Sequence, residues 1–423
     1  MPLTCALGAL PAAVHSAKVR LPRELAGVMH DAEVAAPETA GLSAKKVAAI
    51  EKALEAVYRS GAYPAVSLCL RRRGQIVLHR SYGHARGNGP LDAANAPKKS
   101  FTLDTPVCLF SASKAITGIL VHKLAEEGGI DLDKPVAHYL PAFAQNGKAK
   151  VTIGEVLAHR GGFPSLDIPK ADRKVEMLND WDFVIGRICA SPGARFRPMA
   201  YHAITSGFLL AEVIQRVTGM SLADYHDSRL RQPLGMKYFT YGLPKKQRAS
   251  VALNYAAGMP VLFPVAPMIE RALMVPFNDV VAASNTDVFM DTVIPAGNLY
   301  STAEELSRFF QMLLDDGMWN GKRVLEKATI ARAVRPRGRT MPDATLMLPM
   351  RYSEGMMLGG PLSLFGPATS GAYGHLGFMN ILGWADPARE LSGALLVTGK
   401  AVVGPHLLPW MGLMASIARN ARS

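Results

Sequence analysis

The feature that most constrains the fold is the order of the periodic segments along the chain. Alternating β-prone runs occur near the N-terminus, at 64–83, and return near the C-terminus, at 351–400, while the stretch between them is mainly helical. Strands at both ends with helices between them imply one sheet assembled from the two ends of the chain. The sequence therefore predicts an α/β (α+β) fold: an antiparallel sheet built from N- and C-terminal strands, flanked by helices, with a large inserted helical region.

The domain boundaries follow from the same pattern. Residues 1–40 have no clear period and are expected to form an N-terminal extension. Residues 41–423 are expected to form one domain, with its α/β part at about 41–110 and 335–423 and its helical part at about 111–334. The first part opens with a helix that Ser43 caps and Gly61 ends, followed by a hairpin around a glycine turn.

Charge and hydropathy limit the kinds of partner and the compartment that we expect for the chain. The formal net charge is +13, but the basic residues are scattered and lack the stripe and aromatic platforms of a nucleic-acid binder. The longest apolar passage, 255–277, is interrupted by prolines and two charges, so we expect no membrane-spanning helix. The first residues lack a basic region ahead of the apolar one, which favours the cytoplasm. Secretion and contact with anionic lipid stay open as alternatives.

The cysteines give no sign of a metal or cofactor. All four are scattered, without a C-x-x-C pair or the histidine spacing of a zinc site, at Cys5, Cys69, Cys108 and Cys189. We expect free and mostly buried thiols, no metal and no cofactor.

A serine and a lysine lie three residues apart where an apolar run becomes a helix, in "VCLFSASKAITG". At this spacing Ser111 and Lys114 point from the same face of the first turn. Unpaired N–H groups at a helix start favour a serine alkoxide and the oxyanion that forms after attack. A second S-x-x-K at Ser43 is explained by helix capping, so the spacing alone leaves capping open at Ser111 as well.

Two distant segments add to this pair. Tyr201 stands before a helix in "RFRPMAYHAITSG", and His375 and Gly377 flank one residue on a strand in "GAYGHLGFMN". In this order, Ser-x-x-Lys, Tyr and a basic residue followed by x-Gly, the sequence resembles the serine β-lactamase-like superfamily, which includes class C β-lactamases, DD-peptidases, family VIII carboxylesterases and related acyltransferases. The resemblance extends from about residue 43 to the end.

The resemblance implies a role for each residue. Ser111 would form an acyl-enzyme, with Lys114 and Tyr201 sharing the work of the base; whether the base is a tyrosinate or a neutral lysine stays open. The amides of Ser111 and Phe378 would form the oxyanion hole, and His375 and Gly377 would contact substrate. Gly377 is expected to allow close approach of substrate to the backbone.

Departures from the family pattern bear on the substrate. Ala203 stands where these β-lactamases usually have asparagine, and His375 where they usually have lysine, so recognition of an acylamino acid with a carboxylate is weakened. We therefore expect a serine carboxylesterase acting on small-molecule esters with short to medium acyl chains. The alternatives are an acyltransferase using the same acyl-enzyme, a β-lactamase or D-amino-acid peptidase, and a catalytically silent lipid- or partner-binding module. The oligomeric state is left open.

Overall fold

The computed structural model of the protein describes residues 17–422. The expectations for Cys5 and for the first residues fall on 1–16 and lie outside the described residues. The strands are β1 Met29–Asp31, β2 Ala65–Arg72, β3 Gln75–Arg86, β4 Lys99–Ser100, β5 Val107–Cys108, β6 Thr240–Tyr241, β7 Tyr255–Ala256, β8 Leu299–Ser301, β9 Met318–Trp319, β10 Lys322–Arg323, β11 Met341–Pro342, β12 Pro349–Met350, β13 Met357–Leu358, β14 Tyr373–Gly377, β15 Ile381–Asp386, β16 Leu391–Val397 and β17 Gly399–Lys400.

One antiparallel sheet joins the two ends of the chain. Its order is β1-β3-β2-β16-β15-β14-β13, with β4 paired to β3. The pairing of β2 with β16, in which Leu68 faces Leu395, places an N-terminal strand beside a C-terminal one. The predicted fold class is thereby confirmed.

Helices cover both faces of this sheet. They are α1 Ala44–Arg59, α2 Ser113–Glu126, α3 Val136–Tyr139, α4 Ile153–Leu157, α5 Trp181–Ala190, α6 Thr205–Thr218, α7 Leu222–His226, α8 Lys245–Arg248, α9 Val265–Leu273, α10 Phe277–Ala283, α11 Asp287–Asp291, α12 Ala303–Leu314, α13 Lys327–Val334 and α14 Leu407–Asn420. Helix α12 lies against one face, where Ser307 reaches Cys69 of β2. Helix α1 lies on the other, where Tyr58 stacks on Tyr82 of β3, and α14 packs on α1.

Local signals explain where the predicted helices begin and end. The Ser43 hydroxyl accepts from the Lys46 N–H at the start of α1, and Gly61 follows its end with a left-handed φ of 72°. Thr302 and Glu305 form a capping box at the start of α12. The amphipathic pattern then buries its apolar stripe against the sheet.

The inserted region is less purely helical than the sequence pattern indicates. Strands β5, β8 and β6 form a small antiparallel sheet inside it, and each has only two or three residues. Runs this short carry no readable period, which is why the pattern does not predict them. The small sheet fixes the segment that leads into Ser111, because Val107 pairs with Ser301 and the Leu109 N–H donates to the Leu299 carbonyl.

Part of the region expected to be an extension belongs to the main sheet. Met29 to Asp31 pair antiparallel with Tyr82 to Arg80 and form its edge strand. Among the described helices none is both long enough and apolar enough to cross a bilayer.

Candidate active site

Ser111 and Lys114 lie side by side at the start of α2. Ser111 is in a single 3-10 turn, Phe110–Ala112, directly before the helix, and Lys114 is in the helix's first turn. The Lys114 Nζ is 3.2 Å from the Ser111 Oγ and donates a second hydrogen bond, of 3.0 Å, to the Ala296 carbonyl oxygen. Ser111 is partly exposed while Lys114 is buried. The predicted i, i+3 pair is thus in direct contact.

Tyr201 joins this pair from the loop before α6. The Lys114 Nζ lies 4.9 Å from the centre of its ring, and the ring of His375 is 6.1 Å from that of Tyr201. The Tyr201 hydroxyl is buried and makes no hydrogen bond within the described part of the chain, although Ser111 is near enough to lower its pKa. Lys114, Tyr201 and His375, all predicted from the sequence, therefore lie close together near Ser111.

Burial sets the protonation of these groups. It lowers the pKa of Lys114 from 10.5 to about 7, and it raises the pKa of Tyr201 well above its ordinary value, an effect that Ser111 partly offsets. A lysine and a tyrosine in contact titrate as a pair, and a buried pair favours the neutral amine with the neutral phenol over ammonium with phenolate. The site therefore favours a neutral Lys114 beside a protonated Tyr201.

His375 lies in strand β14 and is uncharged. Its Nδ1 donates to the Leu376 carbonyl oxygen at 2.8 Å, and burial lowers its pKa to about 3, with the nearby Lys114 adding to the effect. A histidine with an unperturbed pKa would be partly charged at neutral pH. Full burial removes that charge from His375. Its Nε2 is buried without a partner among the described residues, so it presents a lone pair.

Gly377 has a different reason to be glycine from the one expected. A Cβ there would lie 2.3 Å from the carbonyl oxygen of Leu109. The chain's own turn before Ser111 makes the close approach, and β14 thereby packs against the nucleophile's turn. Strand β14 and the turn Phe110–Ala112 that holds Ser111 are therefore in contact.

The two amides proposed for the oxyanion hole are both available. Within the described chain, the N–H groups of Ser111 and Phe378 donate to no protein acceptor. The Phe378 ring packs on that of Phe110 at 5.3 Å, and both rings line a cleft with Ser111. Phe110 holds a left-handed φ of 46°, a strained conformation at the residue before the predicted nucleophile.

The cleft beside Ser111 is almost entirely apolar. Its cavity volume is about 60 Å³, and of its described lining residues only Ser111 and Lys174 have polar side chains. The walls come from the residues just before α6, from the C-terminal end of α9, from α10 and α11 and from the loop before β8, with Ile204, Leu273, Val275, Val280 and Ile294 among them. Such a cleft suits an apolar acyl group. The described part of the chain has no cluster of three potential metal ligands.

Two contacts at the site were absent from the sequence-based prediction. The Ala296 carbonyl, which accepts a hydrogen bond from Lys114, lies in the loop before β8. Asp343 accepts a hydrogen bond from the Tyr201 N–H, and no motif marked it. Two buried histidines, His159 and His202, pack around Tyr201.

Comparisons with known proteins match most of the chain to one family. A family model described as "Beta-lactamase" matches residues 47–410. The chain is 26% identical over 381 residues to "Esterase/beta-lactamase LipL" of Mycobacterium tuberculosis, covering 87% of this chain and 84% of that protein.

Solved structures show the same likeness. A "Penicillin-Binding Protein (PBP) Homolog" from Caulobacter crescentus matches with a TM-score of 0.75 and 26% identity, covering 90% of this chain and 99% of that one. A "family VIII carboxylesterase" matches with a TM-score of 0.73 and 25% identity, covering 88% and 98%.

Proposed function

The chain belongs to the beta-lactamase family of serine hydrolases and other acyl-transfer enzymes, and from this premise we propose that it hydrolyses carboxylic esters through an acyl-enzyme on Ser111. The proposal covers uncharged esters with short to medium acyl chains. It assigns Lys114 as the base, Tyr201 as a proton donor, and the amides of Ser111 and Phe378 as the oxyanion hole.

One observation carries the proposal: the contact of 3.2 Å between the Lys114 Nζ and the Ser111 Oγ, made by a lysine whose pKa burial lowers to about 7. A neutral amine has two N–H groups and one lone pair. The Ala296 carbonyl can take one N–H, which leaves the lone pair free to accept the serine proton.

The reaction then follows in two balanced steps. The Ser111 Oγ attacks the ester carbonyl carbon while its proton passes to Lys114, and the oxyanion is held by the two free amides. The C–O bond to the alcohol breaks as the leaving oxygen takes a proton from the Tyr201 hydroxyl, which Lys114 restores. Water attacks the acyl-enzyme by the reverse sequence and releases the acid.

The charges around the site support esters over lactams and peptides that carry a carboxylate. His375 is neutral and Ala203 has no side-chain donor, so neither offers a cation or an amide to such a substrate. The apolar cleft, in contrast, removes a hydrocarbon acyl group from water at about 25 cal/mol for each Å² buried.

The test is turnover of p-nitrophenyl esters of graded acyl length, with nitrocefin alongside, by wild type and by Ser111→Ala. We expect ester turnover to fall by about 1000-fold or more in Ser111→Ala, because the nucleophile is lost. A fluorophosphonate probe should label wild type and not this variant.

The second S-x-x-K provides a matched control. Ser43 caps α1 and lies outside the cleft, so Ser43→Ala should lose about 1 kcal/mol of stability and keep its turnover. Ester turnover that survives Ser111→Ala would overturn the assignment. Nitrocefin turnover that exceeds ester turnover would favour a β-lactamase instead, and an added alcohol that diverts most of the product would favour an acyltransferase.

A further inference from the structure

We propose that Asp343, a residue without an assigned role, is a positioning residue that fixes the backbone of Tyr201 for proton transfer. The inference rests on the function proposed above. It is carried by a buried carboxylate that is held by two N–H groups of its own turn and that accepts from the Tyr201 N–H and from the hydroxyl of the neighbouring Tyr352.

Asp343 is completely buried and every partner it has is neutral. Its Oδ1 accepts from the Tyr201 N–H at 3.0 Å and from the N–H groups of Thr345 and Leu346, both at 2.8 Å. Its Oδ2 accepts from the Tyr352 hydroxyl at 3.2 Å. A buried carboxylate requires about this many donors, so breaking the set is costly and the geometry is held tightly.

The rest of the tyrosine's loop is held from the opposite side by His159. The Ala200 N–H donates to the His159 carbonyl at 3.0 Å, and the His202 N–H donates to its Nδ1 at 3.1 Å. Three consecutive N–H groups, 200 to 202, are therefore fixed by two residues. Of these contacts, only the one from Asp343 holds the amide of Tyr201 itself.

Tyr352 extends the same support to the tyrosine's ring. Its ring lies 4.8 Å from that of His159 and stacks 6.5 Å from that of Tyr201. The hydrogen bond to Asp343 fixes the position of the Tyr352 hydroxyl. One carboxylate thus links the backbone of Tyr201 to a ring that packs beside it.

The charge of Asp343 favours the protonation state that the mechanism needs. Burial is the main cause of the raised pKa of Tyr201, and the negative charge of Asp343 raises that pKa further. Tyr201 is thereby kept as a hydroxyl that can donate its proton to the leaving group. This effect adds to the positioning and does not replace it.

The test is a double-mutant cycle on kcat with a p-nitrophenyl ester. Asp343→Ala should lower kcat by about 10- to 100-fold with KM nearly unchanged, because misplacing a proton donor by about 1 Å slows the chemical step and leaves the acyl cleft intact. In a Tyr201→Phe background the same change should cost less than about threefold, since no hydroxyl remains to be positioned. A general loosening of the fold would lower kcat equally in both backgrounds.

Asp343→Asn provides the conservative rescue. Its amide oxygen can accept the same three backbone N–H groups, and its nitrogen can donate to the Tyr352 oxygen, so kcat should stay within about threefold of wild type. If Asp343→Ala does not fold, Asp343→Ser takes its place in the cycle. Asp386→Asn is the matched control. Asp386 is also a buried carboxylate, but it lies at the C-terminal end of β15 and pairs with Arg389. Its loss should lower the melting temperature and leave kcat unchanged.

The outcomes separate this inference from the proposed function. Loss of turnover in Ser111→Ala, together with an equal effect of Asp343→Ala in both backgrounds, would overturn the role of Asp343 and leave the esterase standing. A wild-type kcat in folded Asp343→Ala would also overturn the role of Asp343 and leave the proposed esterase activity standing. Turnover independent of Ser111 would overturn the proposed function, and the inference with it.

Discussion

The pH dependence of ester hydrolysis should report the ionisation of Lys114. Burial lowers its pKa from 10.5 to about 7, and at about 1.36 kcal/mol for each pKa unit the ammonium is disfavoured by about 5 kcal/mol. Its hydrogen-bond acceptors are the Ser111 hydroxyl and the Ala296 carbonyl, neither of them a carboxylate that would restore the charge. A base must be neutral to act, so kcat/KM should rise through pH 7 and be about tenfold higher at pH 8 than at pH 6.

The assay is the initial rate of p-nitrophenyl ester hydrolysis between about pH 5.5 and 9.5, at constant ionic strength and at the isosbestic wavelength of the product. His375→Gln is the control for the other titratable ring. Burial lowers the pKa of His375 to about 3, so its loss should leave the midpoint near 7 even if the plateau falls. Tyr201→Phe should lower the plateau and keep the midpoint.

Two results would refute this reasoning. A profile that stays flat from pH 6 to 8 would mean that Lys114 does not lose its proton in this range. A midpoint at pH 9 or above would mean that burial does not disfavour the ammonium, and the tyrosinate would again be the better candidate for the base.

The remaining predictions concern packing and buried charge. Gly377→Ala should reduce both activity and melting temperature, because its Cβ would lie 2.3 Å from the Leu109 carbonyl, whereas Gly371→Ala, with nothing within 4 Å, should change neither. Lys400 is fully buried with a pKa lowered to about 7, and its Nζ lies 4.8 Å from the centre of the Phe110 ring. Between pH 7 and 10.5 the unfolded chain binds more protons at this lysine than the folded chain does, so the free energy of unfolding should rise with pH. Lys400→Met should raise the free energy of unfolding at pH 6 by about 2 kcal/mol or more. The variant should also show a smaller rise with pH. Melting curves of both proteins at pH 6 and 9 measure this, and equal slopes would contradict it.

The site could be predicted from sequence where local rules apply and not where burial decides. The contact of Ser111 with Lys114 follows from helical spacing, and Ser43 acts as the predicted cap. Asp343 could not be found, because it binds a backbone N–H 142 residues away, and every residue type except proline offers that donor. The neutrality of His375 likewise depends on the surrounding fold, which no spacing reveals.

Burial of these groups connects the fold to the choice of substrate. An active site of this type needs a base that is neutral near pH 7 and a phenol that is protonated. Both conditions follow when lysine and tyrosine are placed in an apolar interior in which the amine contacts no carboxylate. The same interior would impose a desolvation cost of several kcal/mol on a substrate carboxylate, and His375, where the family usually has a lysine, is neutral and offers it no charge. The environment that prepares Lys114 for catalysis therefore also selects against charged substrates, which is why we place uncharged esters ahead of lactams and peptides.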